Sequence, residues 1–178
     1  MPCGADQSGP VIRVAYVDVI VLRGSAGALQ VLCLRRGPGG RSPGTWEAVH
    51  AHIDEGETPV ETAVRELKEE AGVDVLRLYN LSRVDGFYRH TINEVVLVPV
   101  FVALVADDAE VLLSEEHEAF DWLPPEAALV RMTWPRVRRE IEDAVALLAS
   151  GGAEEAEDVL RVPVEAWAGQ RPGESDAK

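Results

Sequence analysis

The sequence predicts an α/β protein, an α/β/α sandwich with a mixed β-sheet. Runs of β-branched residues are interspersed with helical segments, and such helices cover the two faces of a sheet. The 178 residues are 47% hydrophobic and 27% charged, which is ordinary for one globular domain and short for two. We expect a flexible lead-in over residues 1–9, one domain over residues 10–150 and an acidic extension over residues 151–178.

Strands dominate the predicted structure before the first long helix. Val11 to Leu22 is rich in β-branched residues and indicates one long strand. Leu29 to Arg36 predicts a second strand, and a turn at Ser25 to Ala28 would join the two as a hairpin. Gly37 to Gly44 holds four glycines and two prolines and predicts a loop. Trp46 to Ile53 leads to the helix as a short strand and turn.

The first helix is the best specified element. Thr58 and Glu61 form a capping box, and Pro59 stands at the first helical position, where its missing N–H is not needed. Gly72 follows where a left-handed residue ends a helix. The core-facing stripe has the spacing i, i+3, i+4, i+7 and comprises Val60, Ala63, Val64, Leu67 and Ala71.

The remaining elements alternate between strands and helices. Val73 to Asn80 and Glu94 to Val105 predict strands, and the second is nearly all apolar, which favours a buried position. Phe120 to Leu123 predicts a short strand. Pro124 to Val130 predicts a short helix, and Trp134 to Leu148 predicts a longer one with one apolar face.

Composition excludes several classes of partner. A net charge of −14 argues against duplex nucleic acid, which needs a basic surface, but it allows a small nucleotide-type substrate. No stretch is long enough to predict a membrane span, and no signal-peptide pattern begins the chain. Cys3 and Cys33 are too few for a disulfide framework, so we expect reduced thiols and a cytoplasmic location.

Three glutamates are crowded on the first helix. At about 100° per residue, Glu66, Glu69 and Glu70 fall within an arc of roughly 100°. Like charges at this spacing repel by about 0.2–0.5 kcal/mol per pair. A hard divalent cation among them explains the clustering, because Mg²⁺ and Mn²⁺ prefer carboxylate oxygens. The alternative is a solvated acidic helix whose spacing is fortuitous.

The stretch from Glu57 to Val73 resembles the Nudix signature, G-x5-E-x7-R-E-U-x-E-E-x-G-U, in which U is a bulky aliphatic residue. The one departure is Ala51, which stands where the signature begins with glycine. The resemblance implies an α/β/α sandwich and a metal-dependent hydrolase that cleaves diphosphate linkages of nucleotide-type substrates. The matching positions are Glu57, Arg65, Glu66, Leu67, Glu69, Glu70, Gly72 and Val73.

The resemblance also implies roles for individual residues. Arg65 would orient the neighbouring glutamates through ion pairs, although spacing alone also allows a surface pair between Arg65 and Glu61. The backbone carbonyl of Ala51 would join the metal shell, which alanine permits only if its φ is negative or strain is tolerated. The carboxylates that the resemblance assigns to Mg²⁺ or Mn²⁺ are Glu66, Glu69 and Glu70, with Glu57 in support.

A second acidic segment precedes the predicted strand Phe120 to Leu123. In many Nudix enzymes a glutamate in a loop across from the helix completes the metal site or acts as a base, and Glu116 is the best candidate for that role. A solvated acidic loop is the alternative. Hydrolysis of a diphosphate requires neutralised phosphate oxygens, a positioned metal-bound water and a base that accepts the proton of that water.

Six further residues are candidate substrate contacts: Arg35, Arg36, Arg41, Trp46, His50 and His52. The arginines flank the glycine-rich loop and could meet phosphate, or they could be exposed solubility charges. The tryptophan could stack on a base, although tryptophan at a strand start is more often core. The histidines alternate onto one strand face and could touch phosphate or metal, but two imidazoles are weak evidence for zinc.

The local pattern Glu116-His117-x-x-Phe120-x-Trp122-Leu123 resembles the dihydroneopterin triphosphate pyrophosphatase group, whose members also act on deoxynucleoside triphosphates such as dATP. Alternatives are a nucleotide-sugar or dinucleoside polyphosphate hydrolase, and a non-catalytic Nudix sensor that regulates a partner. Leu160 to Trp167 could add a strand or contact a partner subunit, which leaves homodimerisation open, or it could be a disordered tail.

Overall fold

A computed structural model describes residues 9–25, 27–149 and 154–164 of the chain. Within these residues one mixed sheet is flanked by helices. The strands are β1 (Val11–Val14), β2 (Tyr16–Arg23), β3 (Gln30–Arg36), β4 (Trp46–Glu47), β5 (Val49–His52), β6 (Arg77–Arg89), β7 (Glu94–Leu104), β8 (His117–Leu123) and β9 (Arg161–Val162). The helices are α1 (Pro59–Ala71), α2 (Pro125–Arg131), α3 (Pro135–Ala149) and α4 (Glu154–Leu160).

The sheet runs in the order β4-β3-β2-β7-β6-β9, with β1 paired to β7, β5 to β2 and β8 to β3. Two pairings are parallel, β1 with β7 and β2 with β7, and the others are antiparallel. The predicted mixed sheet is therefore confirmed. Strand β7 is central because it is the only one that joins β2 to β6 within the described residues.

Helices cover both faces of the sheet, which confirms the α/β/α sandwich. Successive side chains of a strand point to opposite faces, and β2 shows this directly. Val17, Val19 and Val21 pack with α1, whereas Ile20 and Leu22 pack with α2 and α3. The buried residues of the two helical layers are Ala63, Leu67 and Ala71 on one side, and Ala128, Met132, Val137, Ile141 and Ala144 on the other.

Helix α1 begins and ends as the sequence predicts. The Thr58 hydroxyl accepts the Glu61 N–H, and the Glu61 carboxylate accepts the Thr58 N–H at 2.8 Å, so the capping box is complete. Pro59 is the first helical residue. Gly72 is left-handed, with φ of 69°, and its N–H donates to the carbonyls of Leu67 and Lys68 in the last turn. These local signals fix the rotation of the helix and hence the direction of its glutamates.

The N-terminal strand is divided, whereas the sequence predicts one strand from Val11 to Leu22. Val14 pairs with Leu97 and Asp18 pairs with Val100, so four residue steps on this strand match three on β7. The extra residue is a bulge, which interrupts the ladder between β1 and β2. Pattern alone did not reveal it because β-branched residues stand on both sides of the break and no glycine or proline marks it.

Strand β6 begins at Arg77 and ends at Arg89, so the predicted strand Val73 to Asn80 both starts and ends too early. The part of β6 beyond Asn80 contains Ser82, Asp85 and Gly86, residue types that are typical of turns. Ser82 has φ of 53° and lies where the register with β7 shifts, so the strand bends there and continues. Pairing with β7 overrides the local propensity, which is why the sequence prediction stopped early.

The segment after α3 adds a helix and a short strand to the domain. Arg161 and Val162 pair antiparallel with Tyr79 and Leu78, so part of the predicted extra strand in Leu160 to Trp167 is present. The Tyr79 hydroxyl donates to Glu157 at 2.5 Å and ties α4 to the sheet. Residues 1–8 of the predicted lead-in and residues 165–178 of the extension lie outside the described residues.

Two further observations complete the fold. Cys33 is a free thiol buried in the sheet, and burial raises its pKa to about 12. No helix among the residues that the structure describes is both long and apolar enough to cross a membrane.

We expect Gly72→Ala to lower the free energy of unfolding by about 1–2 kcal/mol, because a left-handed φ is strained for alanine. An added Cβ would also lie 2.7 Å from the Cβ of Leu112. Urea denaturation measures the loss. Gly39→Ala is the matched control, since a Cβ there meets nothing within 4 Å. Equal losses in the two variants would contradict the explanation.

Candidate active site

Arg65 on α1 holds three glutamates in place. Its Nε and Nη2 atoms donate to the two carboxylate oxygens of Glu57 at 2.7 and 2.8 Å. Its Nη1 atom donates to Glu66 at 2.7 Å and to Glu69 at 3.0 Å. Hydrogen bonds from Arg65 lower the pKa of Glu57 to about 2. Glu61 is engaged in the capping box, so the expected surface pair between Arg65 and Glu61 is not formed.

Glu70 is the buried member of the acidic cluster. Only 6% of the residue is exposed, and its Oε2 atom has no hydrogen-bond partner in the described part of the chain. Burial raises the pKa of Glu70 well above its usual value, and the nearby charges of Glu66, Glu116 and Glu47 raise it further. A buried carboxylate among carboxylates is costly unless a positive charge reaches it.

Glu116 reaches the helix because its loop is hydrogen-bonded to the end of α1. The Leu112 N–H donates to the carbonyl of Ala71 at 2.8 Å, and the Ser114 N–H donates to the carbonyl of Glu70 at 3.2 Å. On the other side, the Gly37 N–H donates to the carbonyl of Glu116 at 2.8 Å. These bonds explain why Glu116 contributes to the electrostatic environment of Glu66 and Glu70.

Arg36 lies between two carboxylates that come from different elements. Its Nε atom is 2.5 Å from Glu47, and its Nη2 atom is 3.3 Å from Glu116. The ring of His117 is also 3.3 Å from Glu47 through Nε2. Glu47 is 5% exposed and was not identified as a site residue from the sequence. A charged residue inside a short strand between apolar neighbours was the available signal.

Ala51 accommodates the departure from the signature without backbone strain. It is buried on β5, pairs with Val17 of β2, and packs in the core against α1. Positive φ at non-glycine residues occurs, among the described residues, only at Ser42, Ser82 and Asn93. The φ of Ala51 is therefore not positive, which is the condition that alanine has to meet at this position.

The donor set has the chemistry that a hard divalent cation requires. Within the described residues, no three or more His, Cys, Asp or Glu side chains are positioned to bind one metal ion together. Arg65 and Arg36 instead hold five of the carboxylates in ion pairs. The unpartnered oxygen of Glu70 nevertheless lies among other carboxylates, and oxygen ligands of net negative charge suit Mg²⁺ or Mn²⁺.

A cavity of about 400 Å³ adjoins the acidic cluster. Glu47 belongs to both, because it lines the cavity and contributes to the charge around Glu70. Cationic and aromatic side chains make up most of the lining, namely Arg36, Arg41, His50, Phe87, Trp134 and Arg136. Cavities of this size that combine apolar walls with a few polar groups are typical of small-molecule sites.

The six predicted substrate contacts divide into two sets. Arg36, Arg41 and His50 line the cavity, and Arg35, Trp46 and His52 do not. Arg35 pairs with Glu118 at 3.2 Å on the surface. The Trp46 ring lies 4.4 Å from the guanidinium of Arg131 and packs with the core beneath α2 and α3. The exposed His52 ring and His50 contact Tyr16, at 5.2 and 4.8 Å between ring centroids.

Buried charged residues pack behind His50 and Arg136, which line the cavity. Asp18 is 1% exposed, lies 2.5 Å from Nδ1 of His50 and contacts Arg136 through its other oxygen. Arg136 also reaches Glu140, which is fully buried, at 3.3 Å. Burial lowers the pKa of His50. The 2.5 Å contact between Nδ1 and the Asp18 carboxylate, which can only accept, requires the donor proton to be on Nδ1. Sequence reasoning missed Arg136, for which no local signal exists.

An acidic helix face beside a cavity lined by arginines, on a mixed sheet between helices, defines an enzyme for anionic substrates of the polyphosphate kind. The comparison with known families makes this specific. A model described as the NUDIX domain matches residues 13–145, and the chain belongs to this family. It is a Nudix pyrophosphohydrolase, and Nudix hydrolases generally need a divalent metal.

Three relatives illustrate the similarity. An octanoyltransferase of Myxococcus xanthus is 32% identical over 137 residues, which are 73% of this chain and 36% of that protein. The asymmetrical bis(5'-nucleosyl)-tetraphosphatase of Mus musculus is 32% identical over 111 residues, 59% of this chain and 73% of that protein. The dihydroneopterin triphosphate diphosphatase of Escherichia coli is 28% identical over 141 residues, 72% of this chain and 91% of that protein.

A solved structure supports the same relationship. The structure of the E. coli dihydroneopterin triphosphate pyrophosphohydrolase aligns with a TM-score of 0.62 and 25% identity, over 75% of this chain and 99% of that one. The chain spans only about a third of the length of the M. xanthus protein, so that relative supports the family and not a shared activity.

We expect Glu70→Gln to raise the Tm of the metal-free protein and to reduce the stabilisation that Mg²⁺ provides. Because the folded pKa of Glu70 is raised, its charge destabilises the fold as pH rises through that value, and glutamine removes the charge. A gain of 1 kcal/mol corresponds to roughly 2–4 °C for a domain of this size. Thermal melts at pH 8, in EDTA and then in Mg²⁺, measure both effects.

Glu55→Gln is the control for this substitution, because Glu55 is exposed and outside the cluster. It should leave both melting temperatures unchanged. A lower metal-free Tm for Glu70→Gln, or an undiminished response to Mg²⁺, would show that Glu70 is not the charge that the cation compensates.

Proposed function

We propose that this chain hydrolyses a nucleoside or pterin triphosphate between the α- and β-phosphates and releases pyrophosphate. The observation that carries the proposal is the junction between the acidic cluster and the cavity, which share Glu47 and Arg36. A substrate that spans the junction would place its polyphosphate at the carboxylates and its ring in the cavity. Similarity to the E. coli dihydroneopterin triphosphate diphosphatase supports the same substrate class.

The metal shell in this proposal is the acidic face of α1 with its neighbours. Bound Mg²⁺ or Mn²⁺ would neutralise the phosphate oxygens and lower the pKa of a bound water. Arg65 is the residue that orients the shell, because it reaches three of its carboxylates at once. The proposed ligands are Glu66, Glu69 and Glu70, with Glu57 in support and the carbonyl of Ala51.

Glu116 is the proposed base. Its side chain is 59% exposed, and a single contact of 3.3 Å with Arg36 leaves most of its hydrogen-bonding capacity free. It lies near the glutamates at the end of α1, and its charge raises the pKa of Glu66 and of Glu70. A carboxylate so placed can accept the proton of the attacking water while the loop bonds to α1 keep it in position.

The cavity would hold the substrate's ring and part of its phosphate chain. Phe87 and Trp134 offer apolar faces on which a heteroaromatic ring can stack. Arg36 and Arg41 are the candidate phosphate contacts, since both line the cavity and guanidinium N–H groups donate charge-assisted hydrogen bonds to phosphate oxygens. His50 donates to Asp18 through Nδ1, so its neutral form can accept one hydrogen bond through Nε2. Arg35, Trp46 and His52 remain candidates from the sequence that lie outside this cavity.

A second candidate is the hydrolysis of dinucleoside polyphosphates. The 32% identity to the mouse bis(5'-nucleosyl)-tetraphosphatase favours it. Such a substrate carries the same polyphosphate and one additional nucleoside, so the same carboxylates would serve. Nucleotide sugars are a further variant of the same chemistry. A purely regulatory sensor is disfavoured because every acidic signature position is present.

The net charge of the protein favours some classes of binding partner over others. With a net charge of −14, a small nucleotide-type substrate is a suitable partner and duplex nucleic acid is not. We propose the domain boundaries 10–150 and 151–178 as stated above, and a cytoplasmic location with reduced thiols. Homodimerisation remains open.

We expect Mg²⁺-dependent release of pyrophosphate from dihydroneopterin triphosphate or a deoxynucleoside triphosphate, and we expect Glu69→Gln to reduce kcat on the order of 100-fold or more. The loss reflects the removal of one proposed ligand of the metal that would neutralise the phosphate oxygens. A panel of triphosphates, dinucleoside polyphosphates and nucleotide sugars, assayed for phosphate and pyrophosphate, identifies the class.

Glu118→Gln is the matched control, because Glu118 pairs with Arg35 on the surface and belongs to neither the cluster nor the cavity. It should retain full activity. Turnover confined to dinucleoside polyphosphates or nucleotide sugars would replace the substrate and keep the mechanism. Turnover of none of the panel, with or without metal, would overturn the proposed function.

A further inference from the structure

We infer that Arg136 determines ring specificity, and that it selects a ring with two adjacent hydrogen-bond acceptors, as in guanine or a pterin, over adenine. This inference rests on the proposed function, because it assigns the ring of a triphosphate substrate to the cavity. In guanine the two acceptors are O6 and N7, and in a pterin the corresponding pair is the carbonyl oxygen and the neighbouring ring nitrogen.

Arg136 is anchored from behind through one of its terminal nitrogens. Nη1 contacts the buried carboxylate of Asp18 and lies 3.3 Å from the buried carboxylate of Glu140. Burial lowers the pKa of Arg136, and the charge of Glu140 opposes that effect, while a guanidinium remains protonated in proteins. Asp18 of β2 and Glu140 of α3 therefore hold the group in place before a substrate arrives.

The other donors of Arg136 are free for a ligand. Nη2 is 3.4 Å from Nδ1 of His50, but that nitrogen carries the proton donated to Asp18 and cannot accept another. No acceptor for Nε of Arg136 is found among the residues that the structure describes. Nε and Nη2 are the two nitrogens whose N–H bonds run parallel, and that edge of a guanidinium makes bidentate contacts.

Aromatic side chains place a ring beside this edge. Phe87 lines the same cavity, and its ring centroid is 5.9 Å from the guanidinium carbon of Arg136. Trp134, two residues before Arg136 at the start of α3, lines it as well. The His50 ring also lines the cavity, and its centroid lies 6.3 Å from the centroid of the Phe87 ring. A flat ring that enters this cavity would lie between aromatic walls and within reach of the Arg136 guanidinium.

The donor-only character of Arg136 decides which ring edge fits. A guanidinium pairs with both acceptors of guanine, whereas adenine presents one acceptor and one donor on the equivalent edge. The amino group of adenine would face an N–H of Arg136, and one donor would remain unpaired. Arg36 cannot take over this role, because Glu47 and Glu116 already hold it.

The test compares kcat/KM for dGTP, dihydroneopterin triphosphate and dATP. The wild-type protein should prefer the first two over dATP by on the order of 10-fold or more, as for a bidentate contact. Arg136→Gln should reverse the preference, because an amide presents one donor and one acceptor and matches adenine. Arg136→Lys should retain the charge that balances Asp18 and lose the preference, since an ammonium lacks the fork.

Arg41→Gln provides the contrast, because a phosphate contact is shared by every triphosphate. It should lower kcat/KM for all three substrates by a similar factor. Thermal melts show whether each variant is folded, and Arg136→Lys is informative even if Arg136→Gln is not. A uniform loss across the substrates in the Arg136 variants would overturn the inference and make Arg136 a phosphate or structural residue.

Failure of the proposed function would be recognised separately. Calorimetric binding of dGMP and dAMP tests the ring preference without any turnover. Tighter binding of dGMP that disappears in Arg136→Lys supports the inference even for a protein that hydrolyses none of the triphosphates. Equal binding of dGMP and dAMP to the wild-type protein, or tighter binding of dAMP, overturns it.

Discussion

The ion pairs of Arg65 are the interaction on which the candidate active site depends. One guanidinium gathers three carboxylates from the loop before α1 and from the helix itself. Without it, the like charges would repel and the exposed glutamates would turn towards solvent. Arg65 thus holds three of the proposed metal ligands in a small volume, while one oxygen of the buried Glu70 has no hydrogen-bond partner among the described residues. A bound cation would compensate the negative charge of Glu70.

The parts of this site that could be predicted are those encoded in adjacent residues. The capping box at Thr58 and the left-handed Gly72 fix both ends of α1, so the face that carries Glu66 follows from spacing alone. The same holds for the alternation of β2 and for the apolar faces of the helices. Local signals were sufficient because the pairs involved lie within about one helical turn or along a single strand.

The parts that could not be predicted arise from contacts between distant segments. Arg136 meets Asp18 across more than a hundred residues, and neither position has a motif. Asp18 is a charged residue inside a β-branched run, a pattern that also occurs in exposed strands. Strand β6 ignored its turn-forming residues because pairing with β7 outweighed them. Long-range pairing of this kind is decided by the whole fold, and no local window contains it.

The parallel pairing of β2 with β7 also has a consequence for biosynthesis. Asp18 pairs with Val100, so the centre of the sheet cannot close until more than eighty further residues have left the ribosome. At about 5–20 residues per second, this delay lasts roughly 4–16 s. During that time β2 keeps an apolar edge unpaired, and an edge of this kind attracts other strands. The nascent chain therefore passes through an interval in which chaperone protection matters more than the stability of the finished domain.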